Sequence, residues 1–463
     1  MNPFDLFFDP VFRAPMWGTL LMCIASSLVG TILFLQKKTL LSESLSHATY
    51  PGVVLGVALL GCFFPSQERW AFVAVLLGAL FSSYIALKAI HFLQEKQKIS
   101  PDASLCFVLS FFFGIGVLGV SAMQSILPSW NKQIQMLLFG QAATMTDIHI
   151  ILYAVLACCV ICFVWLMFHP LKAVVFDRDF SRSIRLPVRA LEKILFWSLL
   201  ISLVLGMRSV GVVLMSGMVV APAVAARQYT NCFSKMLALS AFFGACSGIL
   251  GNILSITGTL YLSRNGEILT IPTGPMIILV GGFFAFYALA FAPERGLVFR
   301  KLRIRAFHLR CLEENGLKGF WKKGPQSREG VHIMLGISFL RSFLLIRRLL
   351  RKGWIVGEKG IYHLTVDGTH KAASIVRLHR LWELYLASML KLETDKVHKN
   401  AEEMEHILTP EIESKLTLLL ANPTKDPHEQ PIPHRIGQNS GGQKMWDMDA
   451  AKTRIFKHER DDL

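Results

Sequence analysis

The first 292 residues are a succession of long apolar stretches separated by short polar loops. A helix needs about 20 apolar residues to cross a bilayer. On this basis the pattern predicts transmembrane helices at about 17–35, 44–64, 70–92, 104–125, 148–168, 194–207, 210–226, 236–260 and 273–292. That makes nine spans, although the sixth is short and the second begins in a polar stretch, so a count of eight stays open.

The pattern changes after Pro293, where the chain becomes basic and then takes on the periodicity of a soluble domain. Between 335 and 351 it predicts two helices joined by a turn at 336–338. A β-hairpin follows at 354–366, with its turn at Glu358, Lys359 and Gly360. A helix-turn-helix followed by a hairpin is the winged-helix arrangement. The fold class is therefore an all-α polytopic membrane domain with a C-terminal winged-helix domain and a helical region after it.

The second helix of this predicted winged helix is basic, and its residues are the candidates for operator DNA contacts. The candidates are Ser338, Arg341, Ser342 and Arg347. Winged helices also bind proteins, and the cations could simply lie on a solvated face near the membrane, so both alternatives stay open.

These patterns divide the chain into five parts. They are a transmembrane domain at 1–292, a basic linker and start of the soluble domain at 293–330, the winged helix at 303–370, helices for metal binding and dimerisation at 371–433, and a flexible tail at 434–463.

Composition and charge sharpen the class of protein. The chain has 463 residues, 53% of them hydrophobic, and a formal net charge of +16. This predicts an integral membrane protein with room for one soluble domain. Lysine and arginine concentrate in one alternating set of loops, which places the N-terminus outside and the C-terminal domain in the cytoplasm. No Gly-x-x-x-x-Gly-Lys-[Ser/Thr] phosphate loop is present, so this chain is not expected to hydrolyse ATP or to be an enzyme.

Glu43 and His47 are the most informative polar pair within the apolar half. Residues four apart share one face of a helix, and charged residues within membrane helices are costly and tend to be functional. A carboxylate beside an imidazole suits a divalent first-row metal. A hydrogen bond between the two that only caps a helix explains the spacing equally well.

A second set of imidazoles and carboxylates lies near the C-terminus. His379 and Glu383 are four apart, as are His398 and Glu402, and Glu405 and His406 continue the second face. Nitrogen and oxygen donors without thiolate favour Mn(II) or Fe(II) over Zn(II). Six such residues on two predicted helices point to a metal-binding region.

The stretch Ser42-Glu43-Ser44-Leu45-Ser46-His47-Ala48, followed by Pro51-Gly52, resembles the signature of the ABC-type manganese, zinc and iron permeases, the ABC-3 family. Glu43 stands where that family usually has Asp, and His47 matches its His. The resemblance covers about 15–292. It implies a homodimeric permease in which Glu43 and His47 help to pass the metal, driven by a separate ATPase subunit and supplied by an extracytoplasmic metal-binding protein. It also implies that Asp177, Asp179 and Phe180 belong to a segment that docks on the ATPase.

The C-terminal stretch is similar to the iron- and manganese-dependent repressors of the DtxR/MntR family. The matching residues are His379-Arg380-Leu381-Trp382-Glu383, Val397-His398 and Glu402-Glu403-Met404-Glu405-His406. The resemblance implies one metal site from His379, Glu383 and His398, and part of another from Glu402, Glu405 and His406. It also implies ligands from the first helix of the domain, for which His308 is the candidate.

The sequence thus predicts the permease of an ATP-driven Mn(II) or Fe(II) importer of the cell inner membrane, fused to a metal-dependent repressor. Release of the repressor by cleavage within 293–330 would let it reach DNA. The alternative is a permanently attached, metal-sensing gate that does not bind DNA. Zinc as cargo is a third possibility.

Overall fold

The computed structural model describes residues 5–63, 71–126, 137–138, 140, 142–263, 271–390, 401–402 and 404–434. The chain forms two compact units, Met1–Lys301 and Leu302–Leu463. Helices predominate in both, and the strands of the described residues lie in the second unit.

The first unit contains eleven α-helices within the residues that the structure describes. They are α1 Arg13–Leu35, α2 Thr39–Phe63, α3 Ala71–His91, α4 Pro101–Ile126, α5 Asp147–Leu166, α6 Phe168–Phe176, α7 Arg178–Ser183, α8 Val188–Gly206, α9 Val212–Tyr229, α10 Phe233–Ser263 and α11 Thr273–Phe291.

Each of the nine stretches predicted to span the membrane coincides with one of these helices. Seven helices of the described residues are long and apolar enough to cross a bilayer. The exceptions are α2, which begins with a polar stretch, and α8, which carries Arg189, Glu192 and Lys193 in its first two turns. The helical architecture is confirmed, while the number of crossings and their orientation stay predictions.

Helix α1 lies at the centre of this unit and packs against α5, α9 and α10. Glycines allow the closest approaches, because an added Cβ would collide with backbone. A Cβ at Gly30 would lie 1.8 Å from the carbonyl oxygen of Val219, and one at Gly52 would lie 2.1 Å from that of Gly78. These crossings bring α1 against α9, and α2 against α3, at the distance that small residues permit in membrane helices.

The second unit begins within a long basic helix. Its elements are α12 Leu297–Lys323, β1 Gln326–Ser327, α13 Arg328–Leu335, α14 Phe339–Arg351, β2 Ile355–Glu358, β3 Ile361–Leu364, α15 Val366–Met389 and α16 Pro410–Leu419. The basic segment assigned as a linker is therefore largely helical, because its arginines, lysines and leucines are good helix formers.

The winged helix is present where the sequence predicts it. The turn at 336–338 joins α13 to α14, with Gly336 in the left-handed conformation at φ 60°. The first helix of the pair begins at Arg328, earlier than predicted. Strands β2 and β3 form the wing, and Lys359 and Gly360 both have positive φ in its turn, as a tight hairpin turn requires. Strand β1 completes an antiparallel sheet in the order β1-β3-β2.

Apolar side chains from α12, α13, α14, β2 and α15 form the core of the winged helix. They include Leu317, Phe320, Val331, Leu345, Ile346, Leu349, Ile355, Ala372 and Ile375. This core fixes α12 beside α15, which positions the candidate metal ligands. The predicted flexible tail lies outside the described residues, apart from its first residue, His434.

Candidate functional site

Glu43 and His47 lie one turn apart on α2, as the spacing predicts. Glu43 is exposed on the surface of the unit, and His47 is half-buried. The His47 ring contacts Phe113 of α4 edge-on, with 4.9 Å between ring centroids. Its Nδ1 atom is buried and has no hydrogen-bond partner among the described residues. A buried imidazole nitrogen without a hydrogen bond destabilises the fold, unless it binds a ligand or a proton.

Serines on either side of His47 tie this part of α2 to its neighbours. The Ser44 hydroxyl donates to the carbonyl of Leu105 in α4 at 2.9 Å, and the Ser46 hydroxyl donates to the carbonyl of Val212 at the start of α9. These bonds fix the rotation of α2, and hence the direction of the face that carries Glu43 and His47.

The predicted coupling segment is the short helix α7 and the residue before it. Asp177 caps this helix, since its side chain accepts hydrogen bonds from the backbone N–H groups of Asp179 and Phe180, at 3.1 and 2.9 Å. The Phe180 ring is 56% exposed and the Asp179 side chain is 92% exposed. The cap therefore presents an apolar and an acidic side chain outward, a surface that a partner could contact.

Four of the six predicted sensor ligands come together in the second unit. His379 and Glu383 lie on α15, while Glu405 and His406 lie in the turn that follows Ala401, and all four are buried. His379 Nε2 lies 3.1 Å from Glu383 Oε1, and His379 Nδ1 lies 2.5 Å from Glu405 Oε2. Glu402 is exposed, and His398 lies outside the described residues.

A lysine that sequence reasoning missed lies among these residues. Lys318 of α12 is 6% exposed, and its Nζ donates to both carboxylate oxygens of Glu405, at 2.9 and 3.0 Å. It lies 3.7 Å from Glu402 as well. The ammonium group therefore supplies positive charge to the same carboxylates that a metal ion would need. Its spacing of four residues from Glu314 is the signal that could have placed it on the helix face toward the site.

His406 binds a different part of α12. Its Nδ1 lies 2.6 Å from Glu314 Oε2, and its Nε2 lies 3.2 Å from Asn315 Oδ1. His308, the candidate ligand of the first helix, is instead exposed, because it lies a turn beyond the packed end of α12. Glu314 is the α12 carboxylate that binds His406.

Electrostatics hold this network in its ionised form. Burial acts to lower the pKa of His379, but hydrogen bonds with the carboxylates of Glu383 and Glu405 raise it above its usual value. Burial acts to raise the pKa of Glu405, but His379 and Lys318 together bring it below its usual value. Both shifts favour charged partners. The pKa of the neighbouring Cys311 thiol is raised by burial and by Glu314, so this sulfur stays protonated.

The residue types fit a divalent metal, but their hydrogen bonds form a closed ion-pair network. Both ring nitrogens of His379 are engaged by carboxylates, whereas a ligating histidine needs one nitrogen free of a proton. No group of three or more His, Cys, Asp or Glu residues in the described part of the chain has a metal-binding arrangement. Metal binding by His379 and Glu405 would therefore require their bonds to each other and to Lys318 to be exchanged.

The candidate DNA-binding residues separate into exposed and buried positions. Arg341 and Arg347 are exposed on α14, and Ser338 is exposed as its N-cap. Ser342 is fully buried and donates to the carbonyl of Phe339 at 2.8 Å. This side chain lies on the face of α14 that packs against the core, so it offers no accessible surface in this structure, and a base contact by Ser342 stays a prediction.

Comparison with known proteins agrees with this architecture. Residues 8–292 match the model of the ABC 3 transport family, and residues 365–434 match that of the iron dependent repressor, metal binding and dimerisation domain. A bundle of apolar helices is joined to a winged helix with a cluster of carboxylates and imidazoles, which is the architecture of a membrane permease with a repressor-like C-terminal domain. The chain belongs to the ABC 3 transport family.

Relatives extend over different parts of the chain. A probable metal transport system membrane protein of Chlamydia trachomatis serovar D is 36% identical, over 94% of this chain and 99% of the relative. The zinc transport system membrane protein TroC of Treponema pallidum is 32% identical, over 67% of this chain and 98% of its own length. The solved structure of PsaBC from Streptococcus pneumoniae in complex with Fab has a TM-score of 0.54 and 22% identity, covering 66% of this chain and 99% of that one, which supports the fold of the first unit.

Proposed function

We propose that the first unit is the permease subunit of an ATP-driven importer of divalent metal, working as a homodimer with a separate ATPase and an extracytoplasmic metal-binding protein. The observation that carries this proposal concerns His47, which shares a face of α2 with Glu43 in a chain of the ABC 3 transport family. Its Nδ1 is buried and has no hydrogen-bond partner within the part of the chain that the structure describes. A single nitrogen and a carboxylate hold a metal ion weakly enough to release it, as transport requires.

Mn(II) or Fe(II) is the proposed cargo. The candidate ligands in both units are imidazoles and carboxylates, and no cysteine is among them. Donor sets without thiolate favour these metals over Zn(II). The relatives include both a manganese and a zinc transport protein: one is a manganese transport system membrane protein of Bacillus subtilis, and another is the zinc transport protein of Treponema pallidum.

The second unit is proposed to sense the imported metal and to repress transcription by binding operator DNA as a dimer. The wing, the exposed Arg341 and Arg347, and the match to the repressor metal-binding and dimerisation domain support this role. Metal would act by replacing the ion pairs that join α12 to the segment at Glu405 and His406. This change would couple metal binding to DNA affinity allosterically. Release by cleavage within 293–330 would allow the repressor to leave the membrane.

A specific observation favours a second candidate function. The outer face of α14 carries Phe339, Leu340, Phe343 and Leu344, all exposed, whereas a helix that reads the major groove uses polar side chains at such positions. A permanently attached domain that closes the permease when cytosolic metal is high would have no need of base contacts.

One experiment tests both candidates on the full chain in nanodiscs. Fluorescent DNA from upstream of the operon would be titrated with protein in the presence of Mn(II), anaerobic Fe(II) or Zn(II), with the double variant His379→Ala, His406→Ala as control. Metal-dependent binding that the variant loses supports the repressor. Metal binding without any DNA binding would reject the repressor and favour the gate. Release is tested separately: a single full-length band, detected in growing cells with an antibody to the C-terminus, would reject it.

A further inference from the structure

The outer face of α14 combines large apolar side chains with arginines. Leu340 is 67% exposed, Leu344 51%, Phe339 48% and Phe343 41%. Ile333 of the preceding helix is 77% exposed. The opposite face of α14 packs in the core of the winged helix, so these exposed side chains are not part of that core. A cluster of exposed apolar residues on a small domain marks a site of interaction.

Basic groups flank this apolar cluster on the same outer face. Arg341, Arg347 and Arg351 are exposed along α14. The guanidinium of Arg328 in α13 lies over the rings of Phe339 and Phe343, at 3.9 and 4.6 Å from their centroids. The surface is therefore positive around an apolar centre.

We propose that this face of α14 binds the surface of a bilayer that contains anionic phospholipid. Amphipathic helices with large apolar side chains and basic residues lie in the plane of the membrane interface, where the apolar groups reach the acyl boundary and the cations meet phosphate. Nucleic acid would bind the arginines through its phosphates, but its phosphates and base edges would make few favourable contacts with the four exposed Leu and Phe side chains. The apolar cluster therefore favours an anionic bilayer over DNA as the partner of this face.

The covalent connection of the two units strengthens this choice. Helix α12 begins at Leu297, a few residues after α11 ends at Phe291. A domain tethered this closely to a membrane helix meets the bilayer at high effective concentration, so that even weak interfacial affinity leads to binding. The proposal goes beyond the proposed function, because it names a bilayer-bound state in which α14 is withheld from any other partner.

The test uses the full chain with an environment-sensitive fluorescent amino acid incorporated at Leu344. A second preparation carries it at Ile412, an exposed apolar residue of α16 in the same unit. Both are reconstituted in nanodiscs of phosphatidylcholine, with or without phosphatidylglycerol, and with or without brominated acyl chains. We expect a blue shift and bromine quenching at Leu344 in discs with phosphatidylglycerol, smaller effects in phosphatidylcholine alone, and neither at Ile412.

A charge variant and an apolar variant complete the test. Arg347→Gln with Arg351→Gln should weaken the association about 25-fold, because each arginine near an anionic surface contributes about five-fold. Phe343→Ser should reduce quenching at Leu344 in the same discs, and neither variant touches the core residues of α14. Absence of quenching at Leu344 would overturn the proposal. If operator DNA shields Leu344 and lipid does not quench it, the proposal fails and α14 is a DNA-reading helix. If the shielding instead depends on protein concentration, the proposal fails and the face binds a second copy of the chain.

Discussion

The ammonium group of Lys318 lies 2.9 and 3.0 Å from the two carboxylate oxygens of Glu405, and both side chains are buried. Glu405 is also bound by His379, at 2.5 Å. A carboxylate at the centre of a candidate metal site is thus already neutralised from two sides. A metal ion that uses this carboxylate must compete with a cation that belongs to the protein itself.

Replacing Lys318 should therefore change metal affinity and stability in opposite directions. Lys318→Met removes the competing charge, and we expect Mn(II) to bind about ten-fold more tightly. Without metal the same variant leaves Glu405 buried with one partner fewer, which should destabilise the second unit by about 3 kcal/mol. Electron paramagnetic resonance of free Mn(II) measures the first effect, and proteolysis of the full chain in nanodiscs measures the second.

Lys323→Met is the matched control, since Lys323 is exposed at the end of the same helix. It should leave both quantities unchanged. Equal Mn(II) affinities in the wild type and in Lys318→Met would contradict a competition between the ammonium group and the metal.

This lysine also shows where the sequence stopped being informative. The helices follow from long apolar stretches, and the wing follows from alternation around Lys359 and Gly360, because local patterns encode local structure. The contact between Lys318 and Glu405 joins residues 87 positions apart. The spacing of four residues places Lys318 on the same face of α12 as Glu314, but it does not identify the segment that packs against that face.

The same reasoning explains why the contact between His379 and Glu383 could be predicted from the sequence and the burial of Ser342 could not. The first two lie four apart on α15, and helical geometry alone brings them together. Which side of α14 packs on the core depends on α12, α13 and α15 together. The apolar residues at both faces of α14 left that rotation undetermined, and the structure places Ser342 inside.

Arg377 should be the strongest single determinant of the C-terminal helices. It is buried on α15, and its guanidinium donates to Glu413 at 3.0 Å, to the carbonyl of Pro433 at 2.8 Å and to Thr417 at 3.1 Å. Arg377→Met breaks a buried pair and leaves Glu413 without this partner, so we expect a loss of about 3–5 kcal/mol in the free energy of unfolding.

Limited proteolysis with mass spectrometry would locate the change, since cleavage should appear within α16 well before the first unit is cut. Lys371→Met, at an exposed position of the same helix, should behave as the wild type. Unchanged protection of α16 in Arg377→Met would show that apolar packing alone holds this region.

Phe180 should matter for the partner ATPase and little for folding. Its ring is 56% exposed on α7, so Phe180→Ala removes little buried area. We expect normal amounts of the membrane protein but about ten-fold less co-purified ATPase, as is usual when an aromatic anchor is truncated. Asp177→Ala should weaken the same interaction less, through loss of the helix cap. Co-purification equal to that of the wild type in both variants would place the docking surface elsewhere.

His47 should be required for transport although it is not required for assembly. Its Nδ1 has no hydrogen-bond partner among the described residues, and its ring packs on Phe113. His47→Phe keeps an aromatic ring of similar size and removes the nitrogen, so the protein should accumulate normally while uptake of radioactive manganese falls by about ten-fold or more. Glu43→Gln should show a comparable loss if the two act together. His91→Phe is the control, because His91 is an exposed histidine at the end of α3. Full uptake by His47→Phe, with retained dependence on the ATPase, would mean that the metal passes without this imidazole and that α2 has only a structural role.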